Sequence, residues 1–238
     1  MLPYCGRLRA GRFQFRGRAY QYALNAPPEP HSSHGEGWLR AWDLVHLDRA
    51  KAVMELAAAS TSPISYASRQ VIEVNEGTLR IELSIRNEDE DVAPFGFGLH
   101  PYFTGRSEAL VQANLPTQRL WDAEMMPIED VANPLDRALR QGCPVTLLPT
   151  AGEFSSWDGR AHLDWPTRGL HLEVKTAPAL KHVVTWLPDG EDFFCFEPQS
   201  HATDALNPYP KQPSGQDFHL LAPGEAVRQC FEFHCSVR

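Results

Sequence analysis

Residues 69–87, RQVIEVNEGTLRIELSIRN, carry the clearest secondary-structure pattern in the chain. From Thr78 to Asn87 apolar and polar residues alternate, and every second residue from Leu79 to Ile85 is leucine or isoleucine. Such alternation is typical of a strand with one buried face. Glu76-Gly77 is a turn signal between this strand and the preceding one. The stretch therefore predicts a β-hairpin of two long strands.

The same reasoning extends from this hairpin to most of the chain. A second hairpin is predicted over residues 11–24, with its turn at Arg16-Gly17-Arg18. Residues 129–141 have the only helical pattern, interrupted by Pro134, and residues 201–215 are predicted to form a long loop. Further strands are predicted over residues 38–47, 51–58, 160–165, 170–176, 180–187, 192–197 and 227–237. About a dozen strands spaced by turns predict one all-β domain over residues 1–238, a large antiparallel sandwich or barrel.

Length and composition exclude several classes of protein. The 238 residues are enough for a sizeable core, and the net charge of −8 disfavours a nucleic-acid or acidic-membrane partner. The arginines between Arg7 and Arg18 alternate with aromatic residues, so we assign most of them to a solvated strand face. No segment has the length and apolarity of a signal peptide or a membrane span. We therefore expect a cytoplasmic protein.

The five cysteines include no Cys-x-x-Cys pair, so the sequence indicates neither a structural zinc site nor a disulfide framework. Cys195, Cys230 and Cys235 lie in predicted aromatic strands. We expect these three side chains to be small buried hydrophobic groups.

One histidine stands out because of its neighbours. In Phe95–Phe103, FGFGLHPYF, Gly96 and Gly98 leave one strand face without side chains, which lets a ligand or another backbone approach. Pro101 restricts the backbone of His100 to an extended conformation. A lone histidine here is most simply a core residue. The segment FFCFEP, residues 193–198, changes that interpretation because it offers Glu197 at the end of another aromatic strand, and an acid and a base displayed in this way make a site.

Two other histidines invite a metal interpretation. His31 and His34 are spaced i, i+3 in a Ser-Ser loop. A metal site would need at least one more ligand and a geometry that such a loop does not enforce. The sequence therefore predicts no metal at this pair.

The combination of motifs resembles the aldose 1-epimerase (galactose mutarotase) family. The resemblance is strongest in Gly98–Phe103 and in Phe196-Glu197-Pro198, and it runs through nearly the whole chain. Other matching segments are His34-Gly35, Gly37-Trp38, Tyr66, Gln70, Phe154–Gly159 and Ala202–Asn207. It implies a large antiparallel β-sandwich of the galactose-mutarotase type, with an aldose sugar bound in an open cleft on one sheet.

The resemblance also implies roles for individual residues. His100 matches the general acid and Glu197 the general base, while Arg7, His34 and Gln70 match sugar-binding positions. Interconversion of α and β anomers needs one proton removed from the C1 hydroxyl and one delivered to the ring oxygen, so no metal, cofactor or covalent intermediate is expected. Because opposite charges stabilise each other, we expect Glu197 ionised and His100 protonated at neutral pH.

The chain departs from the family pattern in three places. Gly6 stands where the family usually has Asn, and Ala151 stands where it usually has a sugar-contacting Asp. Met1–Tyr4 align with a strand that is normally interior, so about the first fifth of a usual member is expected to be missing, judged against typical domain sizes. Loss of those strands would expose a sheet edge, for which a homodimer partner is one cover. A start assigned too late is the other explanation.

Three alternatives to a mutarotase remain open at this stage. A non-catalytic carbohydrate-binding protein on the same fold would explain the missing Asn and Asp. An epimerase of a phosphorylated hexose would need a basic cluster, for which Arg7, Arg9 and Arg12 are the candidates. A metal-dependent cupin-like enzyme is disfavoured, because the sequence has no His-x-His spacing with a carboxylate.

Overall fold

A computed structural model describes residues 1–207 and 217–237. Strands dominate these residues, with one α-helix, α1 (Asp136–Gln141), and three short 3-10 turns, Arg9–Gly11, Val145–Leu147 and Pro166–Arg168. In chain order the strands are β1 (Arg7–Leu8), β2 (Arg12–Phe15), β3 (Arg18–Gln21), β4 (Ser32–Ser33), β5 (Asp43–Leu47), β6 (Lys51–Ala57), β7 (Tyr66–Asn75), β8 (Thr78–Asn87), β9 (Ala93–Phe95), β10 (Tyr102–Thr104), β11 (Leu110–Ala113), β12 (Thr117–Trp121), β13 (Pro127–Ala132), β14 (Cys143–Pro144), β15 (Ala151–Ser155), β16 (Arg160–Trp165), β17 (Leu170–Thr176), β18 (His182–Trp186), β19 (Phe193–Gln199), β20 (His219–Leu221) and β21 (Ala226–Val237).

Two large antiparallel sheets contain most of these strands. One has six strands in the order β10-β19-β18-β15-β12-β13, and the other has nine in the order β14-β11-β16-β17-β21-β8-β7-β6-β5. Three two-stranded pairs, β1-β4, β2-β3 and β9-β20, complete the described strand pairing. The prediction of a large antiparallel β-sandwich is confirmed.

The two sheets pack through aromatic side chains. Phe194 on β19 lies 5.5 Å, between ring centroids, from Phe103 on β10 and 6.3 Å from Trp165 on β16. Phe103 also lies 6.5 Å from Phe233 on β21. Aromatic residues bury large apolar areas, so this layer holds the six-stranded sheet against the nine-stranded one. It also leaves the opposite face of β19 free to carry polar groups.

Strand prediction succeeded where alternation was strict. The hairpin around Glu76-Gly77 joins β7 to β8 and extends from the pair Asn75↔Thr78 to the pair Tyr66↔Asn87. The predicted bounds of β8, β16 and β17 are reproduced, and the first hairpin forms as β2 and β3. The remaining predicted strands are present with shifted ends, the largest shift being at β5, which begins at Asp43 rather than at residue 38.

The predicted helix over residues 129–141 is wrong in its first half. Residues Pro127–Ala132 form the edge strand β13 of the six-stranded sheet, paired with β12, and only Asp136–Gln141 is helical. The pairing with β12 satisfies the backbone there, and Pro134 separates the strand from the short helix. Tyr102–Thr104, which was not predicted as a strand from the sequence, is strand β10.

Cysteine burial was also predicted incompletely. Cys195 is fully buried, whereas Cys230 is half-buried and Cys235 is exposed. Alternation along β21 explains Cys230, which lies between the buried Gln229 and Phe231 and therefore faces the other side of the sheet. Cys235 shares the face of Phe231 and Phe233, but it lies near the end of the strand, where that face is exposed.

Other segments of the chain pack closely against Gly96 and Gly98. A Cβ atom on Gly96 would lie 2.1 Å from the ring of His201, and one on Gly98 would lie 2.8 Å from Sγ of Cys5. Phe95 and Phe97, which alternate with these glycines, are fully buried. The close approach that these glycines permit is therefore one between neighbouring segments.

The structure describes part of the predicted loop over residues 201–215. Residues 201–207 lie in bends and turns, and the rest of the predicted loop lies outside the described residues. In the part of the chain that the structure describes, no helix has the length and apolarity needed to cross a membrane.

Candidate active site

His100 and Glu197 meet at one end of the six-stranded sheet. His100 lies in the connection between β9 and β10, where Gly98 forms an isolated bridge with Gln199 of β19. Nε2 of His100 is 3.3 Å from Oε1 of Glu197. The imidazole keeps 24% of its side-chain surface exposed, whereas Glu197 keeps 2%. The pair is therefore reachable from solvent on the histidine side alone.

Strand alternation explains why Glu197 faces the site. Phe194 and Phe196 lie on one face of β19, in the core, so Cys195 and Glu197 point to the other face. Cys195 pairs with Tyr102 on one side and with Trp186 on the other. Because paired residues place their side chains on the same face, a row of aromatic rings borders the acid–base pair.

This aromatic row packs directly on the histidine. The ring of Tyr102 is stacked on His100 with centroids 4.9 Å apart and an interplanar angle of 15°. Trp186 meets the same imidazole edge-on at 6.1 Å. Nδ1 of His100 is buried without a hydrogen-bond partner among the described residues, so ring packing holds the imidazole in place. We did not assign Tyr102 or Trp186 to the site from the sequence, because only strand register brings them together.

His34 and Arg7 lie near His100 and Glu197, at the two-stranded pairing of β1 with β4. Arg7 on β1 is paired with Ser33 on β4. Gly6 N donates to Nδ1 of His34 at 3.1 Å, and His34 N donates to the Gly6 carbonyl at 2.9 Å. Nε2 therefore carries the proton of the neutral ring and is a donor, and the ring lies 5.6 Å from that of His100. His34 also has a left-handed backbone, with φ of 57°, which is uncommon outside glycine.

Two of the family departures have local explanations. Gly6 has a φ of 67°, and a Cβ there would lie 2.6 Å from Oγ1 of Thr203, so the space beside the backbone is already filled. Ala151 pairs with Trp186 across β15 and β18. The position expected to carry a carboxylate is therefore next to an indole ring in this protein.

Burial sets the charge of the pair. It lowers the pKa of His100 to about 4 and raises the pKa of Glu197 to about 8. The charges of the Met1 amino group and then of Arg7 lower the pKa of Glu197 without cancelling the burial effect. The expectation of an ionised Glu197 beside a protonated His100 is therefore wrong for the free protein, because desolvation outweighs the attraction between the two groups. Between these two pKa values the pair shares one proton, which lies on Glu197.

His34 is held neutral in the same way. Burial, followed by the neighbouring His100, lowers the pKa of His34 to about 3. A neutral His34 adds no positive charge beside His100. Its Nε2–H can donate to a sugar hydroxyl over the whole neutral pH range.

The remaining predicted residues are less central. Gln70 lies on β7, paired with Met54 and Leu83. Among the described residues no hydrogen bond, ion pair or ring contact links Gln70 to His100 or Glu197, so its sugar-binding role stays a prediction. His31 and His34 have separate partners: Nδ1 of His31 accepts from Ala10 N and its Nε2 is 3.3 Å from Glu124, whereas Nδ1 of His34 accepts from Gly6 N.

A groove of about 570 Å³ opens beside His100 at the edge of the sandwich. Its lining includes Tyr102 and Phe103 and apolar residues of β8 and β21. Glu197, Arg7 and His34 do not line it, so the polar groups converge on another side of the imidazole.

A metal ion is the one cofactor for which the site has candidate ligands. Within residues 1–207 and 217–237, the only compact group of this kind is His100, Cys195 and Glu197, whose ligand atoms lie within 4.8 Å of one another. Proton transfer between a carboxyl group and an imidazole needs no such ion.

Comparison with known proteins identifies the family. The aldose 1-epimerase family model matches residues 1–234. The functionally uncharacterised protein YphB of Escherichia coli (strain K12) is 29% identical over 236 residues, covering 95% of this chain and 79% of YphB. YihR of the same organism, also uncharacterised, is 28% identical over 255 residues, covering 98% and 77%.

Solved structures agree with these sequence matches. A crystal structure of an E. coli K12 protein assigned to the aldose 1-epimerases superposes with a TM-score of 0.90 at 28% identity, covering all of this chain and 82% of that one. A galactose mutarotase-like protein from Clostridium acetobutylicum superposes with a TM-score of 0.84 at 17% identity, covering 99% and 78%. The second likeness concerns the fold alone.

Proposed function

The chain belongs to the aldose 1-epimerase family, and on that premise we propose that it is a mutarotase, which interconverts the α and β anomers of a hexose by opening and reclosing the sugar ring. The observation that carries the proposal is the 3.3 Å approach of His100 Nε2 to Glu197 Oε1. The C1 hydroxyl and the ring oxygen are bonded to the same carbon atom. An acid and a base that serve both oxygens must therefore both reach one carbon atom, and His100 and Glu197 are close enough to do so.

Ring opening requires two proton transfers. When a sugar binds, the proton held by Glu197 passes to His100, and the charge of Arg7 favours the resulting carboxylate. Glu197 then takes the proton of the C1 hydroxyl while His100 gives its proton to the ring oxygen. The bond from C1 to the ring oxygen breaks and the aldehyde forms. No charge is created overall, because one proton leaves the sugar and one enters it.

Reclosure reverses both transfers on the other face of the aldehyde. After rotation about the C1–C2 bond, the hydroxyl oxygen attacks C1, His100 recovers its proton from that oxygen, and Glu197 returns a proton to the carbonyl oxygen. The pair ends with the single proton with which it began. Each positioned transfer contributes about 10²–10⁴ to the rate.

The surrounding residues suit a sugar. The Nε2–H of His34 and the guanidinium of Arg7 offer donors to hydroxyl groups beside the pair, and Tyr102 and Trp186 offer apolar ring surface for the C–H groups of a pyranose. A phosphorylated hexose has less support. Arg9 is ion-paired with Asp204 and the guanidinium of Arg12 bonds Gln21, so these two arginines have other partners.

Polarimetry tests the proposal. Freshly dissolved α-glucose and α-galactose should reach anomeric equilibrium faster with the protein than in buffer, and His100→Gln should remove most of that acceleration. His46→Gln is the matched control, since His46 is exposed on β5 and pairs with Asp48. A folded wild-type protein that does not accelerate either sugar would favour a non-catalytic carbohydrate-binding protein. Glucose 6-phosphate in the same assay tests the phosphosugar alternative.

A further inference from the structure

We propose that the site also binds a thiophilic divalent cation, Zn²⁺ in the first instance, through His100, Cys195 and Glu197, and that the bound ion blocks catalysis. Cys195 motivates the proposal. Its thiol is buried in the site, on the same face of β19 as Glu197, yet acid–base chemistry gives it no role. No described residue forms a hydrogen bond with it. A buried thiol beside an imidazole and a carboxylate completes a set of three zinc ligands.

The geometry is near that of a three-ligand zinc site. Ligand atoms at zinc–ligand distances of about 2.0–2.3 Å are themselves about 3.3–3.8 Å apart in a tetrahedron. Nε2 of His100 and Oε1 of Glu197 are already 3.3 Å apart, and all three ligand atoms lie within 4.8 Å of one another. The thiol therefore has to approach the other two ligand atoms by no more than about 1.3 Å. Two of the three ligands come from one rigid strand, which limits the number of groups that must move.

The ligand types select the ion. A thiolate and an imidazole favour Zn²⁺ over Mg²⁺ or Ca²⁺, which prefer oxygen ligands. Three protein ligands leave a fourth position for water or a sugar oxygen. On binding, the thiol proton and the proton shared by the pair pass to solvent, so the ion takes the place of both.

The inhibitory consequence rests on the proposed function, whereas the metal site does not. Ring opening uses Nε2 of His100 and the carboxylate of Glu197, and these are the atoms that the ion would occupy. A zinc-bound His100 has no proton on Nε2 to give and no Nε2 lone pair to accept one, and a zinc-bound Glu197 carboxylate is a weaker base. Zinc is therefore expected to block the two proton transfers, even where a sugar oxygen occupies the fourth position of the ion.

Cobalt spectroscopy tests the site without reference to activity. The protein carries Cys235→Ser, which removes the exposed thiol, and is freed of metal with a chelator before titration with Co²⁺. We expect one equivalent to produce a thiolate-to-cobalt charge-transfer band in the near ultraviolet and the strong visible bands of a tetrahedral ion. Cys195→Ser should lose the thiolate band. Cys143→Ser, a change at another buried cysteine in the nine-stranded sheet, should retain it.

Zinc inhibition is then measured by polarimetry, with each variant compared with its own metal-free rate and with Mg²⁺ as the control ion. We expect Cys195→Ser to need at least tenfold more Zn²⁺ for half inhibition than Cys143→Ser. Absence of the thiolate band in the folded protein, its survival in Cys195→Ser, or equal zinc sensitivity of the two variants would overturn the proposal. A thiolate band in a protein that does not accelerate mutarotation would support the metal site and contradict the proposed function.

Discussion

Nε2 of His100 lies 3.3 Å from Oε1 of Glu197, and the carboxyl group is almost completely buried while the imidazole is reachable. This relationship decides both the chemistry and the charge of the site. In the proposed mechanism, this closeness lets the pair serve two oxygens of one carbon atom. Burial keeps the shared proton on Glu197 until a ligand enters.

The activity should have a bell-shaped dependence on pH. Below about pH 4 His100 is protonated as well as Glu197, so the pair has no base, and above about pH 8 Glu197 has lost the only proton. The limbs of kcat/KM report the free enzyme. They should therefore fall near these two values in polarimetric assays corrected for buffer catalysis and containing a chelator. An alkaline limb near pH 6, or activity that keeps rising above pH 9, would contradict this assignment.

Glu197→Gln should inactivate the protein and stabilise it. In the wild type the folded carboxyl group keeps its proton up to about pH 8, whereas the unfolded one loses it near pH 4.5. Wild-type stability therefore falls as pH rises between these values, by up to about 1.4 kcal/mol per pH unit. A neutral amide avoids that loss.

Denaturant unfolding at pH 5 and pH 8 measures the effect. The free energy of unfolding of Glu197→Gln should exceed that of the wild type by about 4 kcal/mol at pH 8 and by less than about 1 kcal/mol at pH 5, on the same linkage. A variant that is equally destabilised at both pH values would mean that burial does not control this carboxyl group.

Arg7→Met should weaken sugar binding and shift the alkaline limb. Loss of a charged hydrogen-bond donor to substrate costs about 1.5–3 kcal/mol, so kcat/KM should fall by about 10–100-fold, mainly through KM. The alkaline limb should move to higher pH, because Arg7 lowers the pKa of Glu197. Arg12→Met, at an exposed arginine of the same cluster, is the control. Equal effects of the two changes would remove Arg7 from the site.

Gly96→Ala should destabilise the fold beneath the site. The added Cβ would lie 2.1 Å from the His201 ring, which cannot easily move. That ring is stacked on Phe218 at 3.8 Å, and its two nitrogens bond Cys5 N and the Ala202 carbonyl. We expect a loss of about 3 kcal/mol in denaturant unfolding, the upper end for an overpacked core.

Gly190→Ala is the comparison, since a Cβ there meets no atom within 4 Å and only the left-handed backbone is strained. It should lose about 1 kcal/mol. If the two variants lose the same free energy of unfolding, the His201 ring must move aside at little cost, which would contradict this prediction.

Local alternation was enough to predict β8, β16 and β17, because each has one face in the core and a period of two is visible within the strand. It failed at Pro127–Ala132, whose partner is β12 and whose strand character depends on that pairing. A window of sequence contains the residues but not the partner strand.

Some residues of the candidate site could likewise be predicted from the sequence, and others could not. His100, Glu197, His34 and Arg7 could be named from motifs, and the structure brings them together. Tyr102 and Trp186 could not, because each reaches the site through its register with Cys195. The charge of the pair was predicted wrongly, since it depends on how completely the surrounding segments bury Glu197, and no sequence motif reports burial.

The most direct test of the account is a double-mutant cycle on the pair, measured as the polarimetric rate of wild type, His100→Gln, Glu197→Gln and the double variant. Residues that act as one unit have strongly non-additive effects. If His100 and Glu197 share one proton in catalysis, each single change should remove most of the acceleration, and the double variant should be no slower than the slower single variant. Independent, multiplicative losses, or a single variant that keeps the wild-type rate, would contradict the account.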